Sequence, residues 1–174
     1  MTIVVSGGFD PIHIGHVRMF NEAKSMVNPM GGELIVIVNN DKFLEDKKGY
    51  VFMPFEERME IIGNLKAVDR VVPSIDKDGT VCETLENLFL ELSNKISKFA
   101  NGGDRTEKKD IPEASVCQEY GVSLIFGIGG GKTQASSDLV KNVWKKKYEQ
   151  LSGKKLSSGS EVRVDDKRRN GKSD

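Results

Sequence analysis

Near the start of the chain, Ser6-Gly7-Gly8-Phe9-Asp10-Pro11-Ile12-His13-Ile14-Gly15-His16 joins an apolar run, Thr2 to Ser6, to a stretch with helical spacing of apolar residues. A buried strand that leaves through paired glycines and re-enters a helix at once constrains the fold strongly. Gly7 and Gly8 are expected to take backbone angles closed to other residues, turning the chain sharply and bringing its amides close to an anion. A helix opening near Ile14 aims unpaired N–H groups and its positive dipole end into that turn. His13 and His16 stand three residues apart, on one side of the first helical turn. Such a turn suits phosphate.

Downstream, strand and helix patterns alternate. Ile14 to about Val27 reads as an amphipathic helix, and Glu33 to Val38 is an unbroken apolar run of the kind covered on both faces. Asn39 to Tyr50, polar and lysine-rich, is expected to be a mobile loop. Pro54 fits the first position of the next helix, with Glu56 and Glu57 in its opening turn. Asp69 to Pro73 is a third strand, Glu83 to Leu92 a helix, and Ile96 to Ala100 a fourth strand. Asn101 to Arg105 turns into a polar loop, Pro112 to Tyr120 is helical, and Val122 to Phe126 is a fifth strand. Gly127 to Gly131 reads as a flexible loop, followed by a helix capped by Ser136 or Ser137 and reaching about Tyr148. The alternation predicts an α/β domain, a Rossmann-like doubly wound parallel five-stranded sheet flanked by helices, with its ligand site beyond the carboxyl ends of the strands.

Charge refines this picture. The 174 residues carry 26 basic and 26 acidic side chains, but residues 141–174 hold eleven Lys/Arg against five Asp/Glu, a net of +6, which leaves −6 on residues 1–140. The expected domain, 1–150, is therefore no general nucleic-acid binder, and 151–174 reads as a disordered basic tail, solubilising in preference to a nucleic-acid or partner arm. Two cysteines, Cys82 and Cys117, make no disulfide framework, and no apolar run reaches the roughly 18–20 residues of a membrane span. A cytoplasmic protein without membrane association is expected.

Taken alone, the histidine pair could cap its helix, ligate a metal or bind phosphate. Gly127-Ile128-Gly129-Gly130-Gly131-Lys132-Thr133 imitates a P-loop, yet the required first glycine is Phe126.

FDPIHIGH is similar to the HxGH signature of the cytidylyltransferase-like nucleotidyltransferases. VNNDKFLEDKKG, FMPFEERMEII, NLKAVDRVV, the NGGD turn and the closing SSDLV resemble that superfamily's successive elements, in order, to about Val143. The pattern is nearest to glycerol-3-phosphate cytidylyltransferases and the adenylyltransferase domain acting on heptose 1-phosphate. The resemblance implies attack of a substrate phosphate on the α-phosphorus of a nucleoside triphosphate, releasing pyrophosphate, with Mg²⁺ held mainly by the NTP phosphates and no protein metal ligand. CTP stands narrowly ahead of ATP as donor, with a phosphorylated sugar or polyol as the acceptor; the alternative is an adenylyltransferase using ATP with a sugar phosphate or cofactor precursor. It implies catalytic roles for His13, His16 and Lys48, and nucleotide or phosphate binding by Gly7, Gly8, Phe9, Asp10, Gly15, Lys47, Gly103, Asp104, Lys132, Ser136 and Ser137. Arg58 matches the family's helix arginine and is implied to bind acceptor phosphate. Lys132 stands where cytidylyltransferases carry an arginine, and it offers no bidentate fork. A homodimer is implied, and a non-catalytic nucleotide sensor is the alternative of another class.

Overall fold

A computed structural model describes residues 1–93, 95–102, 111–130 and 134–153. The chain divides into two compact units, Met1–Leu139 and Val140–Asp174. The first contains the whole sheet. Its elements run β1 (Thr2–Gly7), α1 (Ile14–Ser25), β2 (Glu33–Val38), α2 (Asp41–Lys48), α3 (Phe55–Gly63), β3 (Arg70–Pro73), α4 (Cys82–Glu91), β4 (Ile96–Gly102), α5 (Ala114–Glu119) and β5 (Ser123–Ile128). Helix α6 (Ser136–Ser152) begins in the first unit and supplies the described part of the second. Residues 154–174, most of the expected tail, lie outside the described residues. No described helix is long and apolar enough to cross a membrane.

The strand order is β3-β2-β1-β4-β5, and every neighbouring pair is parallel. This is the doubly wound arrangement expected, with crossovers running outward from β1 and then returning past it to β4. Alternate residues of each central strand face opposite layers. Ile3 and Val5 of β1, with Leu34, Val36 and Val38 of β2, meet Phe20 and Ala23 of α1 and Ile62 of α3. Val4, Ile35 and Ile37 meet Leu85, Leu88 and Phe89 of α4 and Val116 and Cys117 of α5 on the other face. Both faces of β1 and β2 are dry, which is why their sequences are unbroken apolar runs rather than alternating ones.

The lysine-rich stretch expected to be a loop is helix α2. Asn40 caps it, its Oδ1 accepting from Phe43 N at 2.9 Å. Asp41 opens the helix, Lys47 and Lys48 close it, and Gly49 leaves it at φ 80°. Each matches a helix-terminus preference. The stretch looked like a loop because α2 buries only Leu44 and so shows no apolar stripe. Two smaller differences matter at the site. Asn101 and Gly102 belong to β4, and Gly127 and Ile128 to β5, because the two strands stay paired through Gly102 and Ile128. Pro54 precedes α3 at its N-cap rather than occupying its first turn.

Candidate active site

A cleft of about 310 Å³ lies beyond the carboxyl ends of β1 and β4, within the range of small-molecule sites. Its floor is Ser6, Gly7, Gly8 and Phe9, and His13, Gly15 and His16 of the α1 start form one wall. Phe43, Leu44, Lys47 and Lys48 of α2 line one side, while Asn101, Gly102, Gly129, Gly130 and Gln134 to Ser137 line the other.

The glycines of the turn act by size rather than by backbone angle. Gly7 and Gly8 are absent from the positive-φ positions, and the left-handed residue is Phe9, at φ 51°. A Cβ on Gly7 would lie 2.9 Å from Phe9 Cζ, and one on Gly8 2.6 Å from Leu44 Cδ2. Phe9 adopts a conformation that costs a non-glycine residue about 1–2 kcal/mol. The buried ring offsets that cost by packing edge-on against His16 at 5.1 Å and Phe20 at 5.2 Å.

Both imidazoles cap α1, and they do so with the same nitrogen. His13 Nδ1 accepts from Gly15 N at 3.1 Å, and His16 Nδ1 accepts from His13 N at 3.3 Å. The two rings stack at 3.8 Å between centroids and 20° between planes. An Nδ1 that accepts puts the proton of a neutral imidazole on Nε2. Burial holds the His16 pKa down at about 3, helped by His13 and Lys48, and burial followed by Lys48 lowers that of His13. His16 is thus a neutral donor near pH 7. Capping, one of the readings of the sequence, engages Nδ1 of each ring and so does not exclude a ligand at Nε2.

Lys48 is largely enclosed, its Nζ donating to Asp10 O at 2.6 Å and standing 3.9 Å from Asp10 Oδ2. Burial lowers its pKa, Asp10 opposes that, and Lys47 and Arg58 reinforce it. Lys47 places its ammonium 5.2 Å from the centre of the Phe43 ring. Ser136 Oγ donates to Pro11 O at 2.9 Å, tying the start of α6 to the turn, and Glu22 Oε2 accepts from Gly129 N at 2.8 Å.

Two expected ligand contacts are placed elsewhere. Asp10 is fully buried, and its carboxylate accepts from Phe52 N at 2.9 Å and Met53 N at 2.7 Å, so it clamps the α2–α3 link rather than facing the cleft. Arg58 has a side chain with no exposure and spends four N–H groups on protein oxygens: Met53 O, Gly8 O, Asn39 O and Asp41 Oδ1. It has no open face for an acceptor phosphate. Gly103, Asp104 and Lys132 lie outside the described residues. The sequence reading missed the contributions of Phe43 and Leu44, hidden by the loop assignment of α2. It also missed Gln134 and Ala135, which carry no chemical signature of their own.

A family model described as cytidylyltransferase-like matches residues 4–156. An FAD synthase of Thermococcus sibiricus is 41% identical over 71 residues, 40% of this chain and 45% of that protein. The Bifunctional protein HldE of Coxiella burnetii is 34% identical over 112 residues, 62% of this chain and 23% of that protein. The matches therefore span less than half the length of these relatives. Among solved structures, the lipopolysaccharide core biosynthesis protein of Thermoplasma volcanium superposes with a TM-score of 0.54 at 21% identity, covering 73% of this chain and 93% of that one, a likeness of fold.

Proposed function

The chain belongs to the cytidylyltransferase-like family, and from that membership we propose that it is a nucleotidyltransferase acting on a small phosphorylated acceptor. An acceptor phosphate oxygen attacks the α-phosphorus of a nucleoside triphosphate. The new P–O bond forms as the bond to the bridging oxygen of the β-phosphate breaks, and pyrophosphate leaves. The demand on the protein is to align the two phosphates and to meet the negative charge that builds on the α-phosphoryl oxygens.

The observation that carries the reading is the stacked histidine pair, whose Nδ1 atoms are both engaged and whose protons therefore sit on Nε2. Two neutral N–H donors at a helix N-terminus can meet an oxyanion while their Nδ1 atoms stay engaged in the helix caps, and the α1 dipole adds to them. Lys48 and Lys47 supply positive charge from the α2 side for the departing pyrophosphate. Ser137 brings a hydroxyl from the opposite side, while the Ser136 hydroxyl proton is spent on Pro11 O.

The cleft's described donors are imidazoles, ammoniums, hydroxyls and amides, and no described group of three or more His, Cys, Asp or Glu could hold a metal. They fit phosphate oxygens and not a magnesium shell. Mg²⁺ would arrive with the triphosphate, held by its phosphate oxygens. The relative named FAD synthase makes a product containing adenosine, which favours ATP over CTP as donor here.

The test is pyrophosphate release from ATP and CTP across a panel of phosphorylated acceptors, comparing the wild type with His16→Ala. Removing one preorganised donor should lower kcat by about 10²–10⁴-fold. Near-wild-type turnover in the folded variant refutes the assignment. Nucleotide binding with no pyrophosphate from any acceptor indicates a sensor instead.

A further inference from the structure

Helix α2 is tied to the β1 turn at both ends, and only one tie reaches the cleft. At the C-terminal end, Lys48 Nζ donates to Asp10 O at 2.6 Å. At the N-terminal end, Arg58 Nη2 donates to Asp41 Oδ1 at 2.6 Å, while Arg58 Nη1 donates to both Gly8 O and Asn39 O at 2.7 Å. Asp41 Oδ2 also accepts from Phe55 N at 3.3 Å, and Arg58 Nε holds Met53 O at 3.0 Å. Neither Arg58 nor Asp41 lines the cleft.

We infer that the Arg58–Asp41 pair, a buried guanidinium holding a half-exposed carboxylate, is a positioning device for Lys48, fixing the N-terminal end of α2 to Gly8 O so that the opposite end presents its ammonium to the histidine pair. The reason is leverage. Leu44 is the only buried side chain of α2 and sits near its middle, so apolar packing leaves the helix a pivot. Lys48 lies four helical rises beyond Leu44, about 6 Å at 1.5 Å per residue, so a tilt of roughly 10° carries Lys48 about 1 Å. A misplacement of that size in a catalytic constellation costs about 10²-fold in rate. The guanidinium has a second, through-space effect in the same direction as burial, since its charge helps lower the Lys48 pKa.

The inference rests on the proposed nucleotidyl transfer, and its test separates the two. Asp41→Ala, Lys48→Ala and the double variant are compared by kcat and KM for the triphosphate, with thermal unfolding as the check on folding. Asp41→Ala should lower kcat by about 10–100-fold with KM within about threefold. In the Lys48→Ala background the same substitution should cost less than about threefold, because Asp41 then has nothing left to position. A full, additive loss in that background, or wild-type kcat in Asp41→Ala, overturns the inference. Asp41→Asn, which keeps an oxygen for Arg58, should recover most of the rate. A second measurement does not depend on activity: trace acetic anhydride labelling of Lys48, read by mass spectrometry. Labelling of Lys48 should rise several-fold in Asp41→Ala as its bond to Asp10 O loosens, and unchanged labelling refutes the positioning role. A wild type that releases no pyrophosphate fails the proposed function, while the labelling still decides this inference.

Discussion

Acidification from about pH 7 to about pH 5 probes the half-buried His16 imidazole in the cleft wall. In the folded chain His16 titrates at about 3, against 6.5 when unperturbed, with burial the largest cause. A base with a depressed folded pKa takes up its proton in the unfolded chain first. Its contribution is therefore present in full above about pH 6.5 and is lost as the pH falls towards 3. At roughly 1.4 kcal/mol per pH unit, the fall from about 6.5 to about 5 removes about 2 kcal/mol of unfolding free energy. His13, also lowered, adds to the loss in the same direction, and the chain has no other histidine to confuse the reading. Urea unfolding followed by circular dichroism at the two pH values measures it. The comparison is His16→Asn, whose Oδ1 can stand where His16 Nδ1 accepts from His13 N. The variant should keep most of its stability at the lower pH. An equal loss in the variant, or a wild-type loss below about 0.5 kcal/mol, refutes the claim that His16 is held neutral by burial.

Gly8→Ala drives a methyl to within 2.6 Å of Leu44 Cδ2, the anchor of α2. It should cost about 1–3 kcal/mol by thermal unfolding and lower kcat more than KM changes; an unchanged melting temperature means that the turn and α2 are not in close register. Cys117 is buried with its thiol pushed up to about 12, so iodoacetamide near pH 8 should leave it unmodified in the folded protein and alkylate it in urea. Rapid labelling at Cys117 itself, resolved from the half-exposed Cys82 by peptide mapping, contradicts that burial.

The order of strands and helices was legible because burial imprints a local period. β2 is covered on both faces and shows it as six residues with one polar position, Glu33. The helices α1 and α4 each bury one stripe against the sheet, and both were read from their spacing. Helix α2 was not legible by this route, since one buried leucine makes no stripe, although its cap, its charges and its final glycine carried the signal. At the site, the strand–turn–helix setting and the histidine spacing are local, and the cleft does form around them.

The roles inside that setting are another matter. Phe9, not the glycines, takes the left-handed conformation, and the glycines are there because a Cβ at either would meet the Phe9 ring or Leu44. Asp10 meets amides 42 and 43 residues further along the chain, and Arg58 meets a carbonyl 50 residues back. An acid beside a phosphate turn and an arginine on a helix look like ligand contacts in one dimension, and only the packing reveals that their hydrogen bonds are already spent. The sequence by itself determined the architecture and the edge of the sheet where chemistry can occur, since both follow from short-range periodicity and turn residues. Tertiary structure alone decided which polar groups face the cleft and which hold it together. That choice depends on partners brought close by the fold, and no local pattern records them.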